Sequence, residues 1–200
     1  MQITPSILGQ KKYDIESIEK VCSRIQFDVA DGKFVKNKQG FTPKFVKNFK
    51  TKLIKEVHLM TLNPERQIYY YKKAGAKIIF IHVELKKTNK LIQLIKKHKL
   101  KVGLAIKNKT KIEKLKPFLD KIDEIIVMGI IAGKSGQPFI PSTLNKVKKL
   151  RKITPLPICV DGGISEKNIK SLEKAGATRV VMASQLWNKK DPVKFITKVQ

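Results

Sequence analysis

The amino-acid sequence predicts a single (β/α)8 barrel over residues 1–200, and three observations carry that expectation. Apolar runs of strand length alternate with longer segments of 3.6-residue periodicity, eight of each. Gly, Pro, Asn and Asp punctuate the joins. Runs such as Ile78-Ile79-Phe80-Ile81 and Ile125-Ile126-Val127-Met128 are apolar at every position, as parallel strands covered on both faces must be. An open doubly wound sheet is the alternative, and no GxGxxG follows the first strand to support it.

In order, the strands are expected at Ile3 to Leu8, Ile25 to Ala30, Ile54 to Met60, Ile78 to Glu84, Lys101 to Ile106, Glu124 to Ile130, Pro157 to Val160 and Arg179 to Ala183. Helical patterns follow at Asp14 to Val21, Pro43 to Phe49, Pro64 to Lys73, Asn89 to Lys97, Lys111 to Leu119, Pro141 to Lys152, Glu166 to Lys174 and Pro192 to Val199. Pro64, Pro141 and Pro192 fall in first turns, and Asn63 and Asp191 precede two of them as N-cap candidates. Gly75 and Gly176, each within Ala-Gly-Ala, suit the left-handed position that ends a helix.

The formal charge of +27 would attract phosphates, nucleic acid and anionic surfaces alike. Lysine supplies almost all of it and recurs in every expected helix, so it reads as a solvated coat and not as a nucleic-acid face. No apolar stretch approaches the length of a membrane span, and the chain reads as cytoplasmic. Cys22, in an expected helix, and Cys159, in an expected strand, lack metal-ligand spacing and read as small buried apolar residues.

In such barrels chemistry gathers where strands end. Gln26 and Asp28 share one face of the second strand by the period of two, while Asp31-Gly32 reads as turn chemistry. His58 lands at the same height on the third strand, as a metal ligand or as a hydrogen-bonded core residue. His82 and Glu84 on the fourth could support it from behind. Asp161 ends the seventh strand, and a carboxylate in an apolar strand needs a partner or a metal. Asp28 and Asp161 can flank one substrate, which suits proton transfer from two sides. Gly162-Gly163, Gly133-Lys134-Ser135-Gly136 and Ala183-Ser184 offer backbone donors for a phosphate ester.

Along almost its full length the chain resembles the ribulose-phosphate 3-epimerase family. Thr4-Pro5-Ser6-Ile7-Leu8, Asp28-Val29-Ala30-Asp31-Gly32-Lys33-Phe34-Val35, Val57-His58-Leu59-Met60 with Asn63-Pro64, His82-Val83-Glu84, Val127-Met128, Ser135-Gly136-Gln137-Pro138-Phe139-Ile140 and Val160-Asp161-Gly162-Gly163-Ile164 stand in family order. The resemblance implies Ser6 as a substrate contact and Asp28 and Asp161 as acid and base. It also implies one divalent metal (zinc, iron, manganese or cobalt) held by Asp28, His58, Asp161 and the residue at position 26, with Met60 and Met128 beside the reacting carbons. Gln26 stands where the family carries a histidine ligand, Ala30 where it carries a methionine, and Ile131-Ala132-Gly133-Lys134-Ser135-Gly136 where it carries Asn-Pro-Gly-Phe-Gly-Gly.

The implied activity interconverts ribulose 5-phosphate and xylulose 5-phosphate at C3. A six-carbon ketose phosphate such as allulose 6-phosphate, or a catalytically weak sugar-phosphate-binding barrel, are the alternatives. The expected partner is a small sugar phosphate bound by a homo-oligomer, with no specific nucleic acid and no membrane.

Overall fold

The computed structural model describes residues 1–133 and 136–200. Nine strands form its sheet: β1 (Gln2–Pro5), β2 (Arg24–Asp31), β3 (Lys38–Gly40), β4 (Ile54–Met60), β5 (Ile78–His82), β6 (Lys101–Ile106), β7 (Glu124–Met128), β8 (Ile158–Asp161) and β9 (Arg179–Met182). They run in the order β1-β9-β8-β7-β6-β5-β4-β2-β3. Every neighbouring pair is parallel except β2 with β3. A parallel bridge between Ser6 and Gln26 joins the β1 side to β2 and closes the barrel. The eight barrel strands therefore match the eight expected, and β3 is a short antiparallel flap on the end of β2 that the sequence did not announce.

Helices α1 (Ile15–Ile18), α2 (Pro43–Asn48), α3 (Glu65–Lys73), α4 (Thr88–Lys97), α5 (Ser142–Arg151) and α6 (Glu166–Lys174) lie between the strands, and α7 (Ser184–Trp187) and α8 (Pro192–Val199) follow β9. Each longer helix buries a stripe against the sheet: Leu91, Ile92 and Ile95 on α4, Ile169 and Leu172 on α6, Phe195 and Ile196 on α8. That is the amphipathic pattern the periodicity implied. None of the described helices is long and apolar enough to cross a membrane.

Several local expectations are corrected. The segment Lys111 to Leu119 is not an α-helix but two 3-10 turns, Ile112–Lys114 and Lys116–Phe118. Pro117 lacks the N–H a helix interior needs, although Leu115 still buries itself fully. Helix α1 stops at Ile18, which leaves Cys22 in the join to β2. Both cysteines are nevertheless free and buried. Asn63 does not cap α3, because Pro64 occupies that position without a side-chain bond. Asp191 does cap α8, accepting the Lys194 N–H at 2.8 Å. Gly75 and Gly176 have φ of 92° and 102° and end their helices as expected.

Alternation sends one set of side chains outward, where Ile25, Phe27, Val57, Leu59, Ile79 and Ile81 pack under the helices. The other set fills the barrel. Phe80, Ala105, Ile126, Met128, Cys159 and Val181 make an apolar middle, and Gly103 leaves the space that the Phe80 ring occupies. Below it the floor is ionic: Arg179 donates to Thr4 and Glu56, each at 2.7 Å, and to Glu124 at 2.9 Å. Arg24 closes the cluster from the rim by pairing with Glu124.

With Arg179 gone, Glu56 and Glu124 would be left buried without their main cation. Arg179→Met is expected to lower unfolding free energy by about 3–5 kcal/mol in urea denaturation, since breaking a buried pair from one side strands the other charge.

Candidate active site

Period-two alternation carries the inward set of β2 from Gln26 to Asp28 and that of β4 from Glu56 to His58, and the register places Asp28 directly beside His58. Asp161 ends β8, separated from β2 around the barrel wall by β9 and β1. The curvature brings these groups together: one ligand atom each from Asp28, His58 and Asp161 lies within 4.8 Å of the others.

Their contacts interlock. The Gln26 amide Nε2 donates to Asp28 Oδ1 and to Asp161 Oδ2, both at 2.8 Å. His58 Nδ1 lies 3.1 Å from the same Asp28 Oδ1 and 3.3 Å from the same Asp161 Oδ2. Ser6 Oγ donates to the outer oxygen, Asp28 Oδ2, at 3.0 Å. Behind them His58 Nε2 meets His82 Nε2 at 3.0 Å, and His82 Nδ1 meets Glu84 at 3.1 Å.

Burial and charge tune these groups unequally. Desolvation pushes the Asp28 carboxyl up, and the adjacent Asp161 charge adds to it against the lowering by His58 and Ser6. Burial alone would lower His58, but the hydrogen bonds and charges of Asp161 and Asp28 prevail and bring it up to about 9. His82 goes the other way, down to about 4, chiefly by burial. Burial opposes ionisation of Glu84 too, yet its hydrogen bond with His82 and the surrounding donors bring it down to about 2.

Above the acid pair opens a cavity of about 630 Å³, with Ser6, Asp28, Met60, Met128 and Asp161 at its base. Gly162, Gly163, Gly133, Gly136, Ala183 and Ser184 form its wall, so the expected phosphate loops converge on one space. Lys134 and Ser135 lie outside the described residues. Gly162 and Gly163 take φ of 100° and 69°, and a Cβ on them would strike Ile130 and the Phe139 backbone respectively. Only glycine serves there. Ala30 packs with Val35 and Met60 under Phe34 and Ala132, forming an apolar shoulder at the mouth.

The expectation for Asp31 holds: it accepts backbone N–H groups from Lys33, Phe34 and Leu62, each within 2.8 Å. Other wall residues had no signal in the sequence. Gln39 on β3 lines the cavity and donates to the Gly133 carbonyl at 3.0 Å, tying the flap to the loop after β7. Gln10, in the loop after β1, also faces the space. Both depend on loop paths that no periodicity encodes.

Two carboxylates and an imidazole in this proximity form a donor set suited to a divalent cation. A further observation agrees with one. Gln26 Oε1 is buried without a hydrogen-bond partner, and exchanging the two ends of the amide turns that oxygen toward the aspartates.

Fold and site together define a (β/α)8-barrel protein with two carboxyl groups, Asp28 and Asp161, brought together at the base of one cavity. The profile of the ribulose-phosphate 3 epimerase family matches residues 2–187, and the chain belongs to that family. A ribulose-phosphate 3-epimerase of Schizosaccharomyces pombe is 34% identical, over 98% of this chain and 91% of its own. One of Bacillus subtilis is 32% identical, over 100% of this chain and 98% of its own. Among solved structures, 3-hexulose-6-phosphate synthase superposes with a TM-score of 0.69 at 16% identity, over 100% of this chain and 98% of its own. At that identity the likeness speaks for the barrel alone.

In chelator-treated protein, folded His58 holds its proton up to about pH 9, whereas an exposed histidine releases it near 6.5. Protonated His58 thus contributes its full stability below about pH 6.5 and loses it as pH rises through 9; the raised Asp28 acts in the same direction from its ordinary 3.8 upward. Chemical denaturation from pH 6.5 to 9.5 is expected to show falling stability, and His58→Gln to flatten the curve over that window.

Proposed function

We propose that the protein is a ribulose-phosphate 3-epimerase that inverts C3 of ribulose 5-phosphate by proton transfer between Asp28 and Asp161. The observation that supports this most directly is the approach of these two carboxylates, from separate strands, at the base of one cavity walled by glycine loops. Naming of the S. pombe and B. subtilis relatives as ribulose-phosphate 3-epimerases supports the substrate.

Asp28 or Asp161, according to direction, takes the C3 proton. The C3–H electron pair becomes a C2–C3 double bond, and negative charge moves to the carbonyl oxygen to give an enediolate. The opposite carboxyl returns a proton to the other face of C3, which inverts it. One of the pair must therefore be protonated while the other is ionised, and the raised Asp28 beside Asp161 is suited to that division. With its Nε2 facing the pair, Gln26 holds both carboxyls and Ser6 holds Asp28 at its other oxygen; the exchanged amide, which would give its oxygen to a metal, gives up both of those bonds and leaves Ser6 to hold Asp28. Met60 and Met128 at the base exclude water from the reacting carbons. The backbone of Gly162-Gly163, the loop through Gly133 and Gly136, and Ala183-Ser184 are the proposed phosphate cradle.

Asp28, His58, Asp161 and the amide oxygen of Gln26 are the residues that would hold a divalent metal, which when bound supplies Lewis acidity for the charge developing on the ketose oxygens. An amide oxygen is a harder donor than the imidazole it replaces, which shifts the site from zinc toward manganese.

Asp161→Asn and Asp28→Asn are each expected to reduce epimerisation of ribulose 5-phosphate by about 10³-fold or more, from the weight of a lost acid–base group and its misplaced partner. In deuterium oxide each variant should still exchange the C3 hydrogen of one epimer, the one facing the surviving carboxylate. Full turnover by Asp161→Asn would remove the mechanism. Chelation is expected to abolish activity of the native protein, and Gln26→His to raise zinc affinity relative to manganese, measured by competition with a chromogenic chelator.

A further inference from the structure

His82 and Glu84 lie behind the acid pair and take no part in the proton transfer just described. They nevertheless form one line with it. His58 Nε2 stands 3.0 Å from His82 Nε2, His82 Nδ1 stands 3.1 Å from Glu84 Oε2, and Glu84 Oε1 accepts the backbone N–H of Lys107 at 2.9 Å. Both rings are fully buried and stacked with centroids 5.1 Å apart, and Phe34 covers His82 from the mouth side at 4.7 Å.

Two ring nitrogens at 3.0 Å must be one donor and one acceptor. The direction follows from the far end. Glu84, anchored by a backbone N–H, faces His82 with an acceptor oxygen, so His82 Nδ1 carries hydrogen. A neutral imidazole has only one, which leaves His82 Nε2 as a bare acceptor. His58 Nε2 must then be the donor. The opposite polarity would set the bare Nδ1 of His82 against a carboxylate oxygen, lone pair to lone pair.

We propose that Glu84 and His82 are positioning residues that hold the Nε2–H of His58, so that when a divalent cation displaces the proton on Nδ1 the lone pair released there is directed between Asp28 and Asp161. This rests on the metal reading above. Without the chain, the two carboxylate oxygens at 3.1 and 3.3 Å would favour a hydrogen on Nδ1, and that tautomer is closed to metal. Such outer partners govern both orientation and basicity of a ligating histidine.

The chain has three histidines, so uniformly ¹⁵N-histidine-labelled protein gives an assignable spectrum. In both chelator-treated and Zn²⁺-loaded samples at pH 7, the expected result is a scalar coupling across the hydrogen bond between the Nε2 atoms of His58 and His82, with His82 Nε2 unprotonated. A proton on His82 Nε2 would overturn the proposal. For the consequence, His82→Phe keeps a ring in the stack and removes the acceptor, and it is expected to weaken Zn²⁺ and Mn²⁺ binding by roughly 10- to 100-fold in calorimetric titration. Glu84→Ala should do the same, while Glu84→Gln, which retains an acceptor oxygen for His82, should recover most of the affinity. Should His82→Phe fail to fold, Glu84 is at the partly exposed end of the line and its two variants carry the comparison. Unchanged affinity in Glu84→Ala would overturn the positioning role alone. A native protein that binds neither Zn²⁺ nor Mn²⁺ would sink the metal reading and this proposal with it.

Discussion

Closure of the barrel is the constraint on which the site depends. Asp28 and Asp161 are 133 residues apart in the chain and lie on strands that never pair with each other. They meet because the bridge from Ser6 to Gln26 seals the seam between the first and second strands. The same two residues then hydrogen-bond to the acid pair, Ser6 to Asp28 and Gln26 to both aspartates. Trp187 secures the seam from outside by donating its indole N–H to the Ser6 carbonyl at 2.8 Å. Architecture and chemistry therefore share atoms, so that loosening the seam would release a carboxylate.

Charge inside the barrel is arranged in two layers separated by an apolar one. The lower layer sets Arg179 and Arg24 against Glu56 and Glu124, charge for charge, although Glu56 Oε2 has no hydrogen-bond partner and only an ion pair with Arg24 at 3.5 Å. Above Phe80 and Ile126 the upper layer holds two carboxylates against one histidine and one neutral amide, an excess of negative character that a cation would relieve. Two buried ionic clusters in one barrel thus differ in what they demand. The lower one matches two carboxylates with two arginines; the upper one sets two carboxylates against a single histidine.

Much of the site was legible from alternation alone. Gln26, Asp28, His58 and Asp161 each interrupt an apolar strand, the last at its carboxyl end, and the cost of burying such groups makes them conspicuous. Glycine doublets marked the wall, and Gly162 and Gly163 do adopt the left-handed conformations their type permits. What escaped was local geometry. The segment at Lys111 to Leu119 had the right periodicity but carried Pro117, and covalent constraint overrode pattern. The flap of Lys38–Gly40 and the cavity-facing Gln39 came from a three-residue pairing too short to announce itself.

The chain by itself determined the alternation of eight strands with helical segments, which faces are apolar, and which polar residues lie at strand ends, because period and burial cost are properties of neighbouring residues. Tertiary structure alone decided that one amide nitrogen bridges both aspartates and that His58, His82 and Glu84 stand in hydrogen-bonding line. Those facts depend on curvature and register summed around a closed sheet, and no stretch of sequence contains that sum.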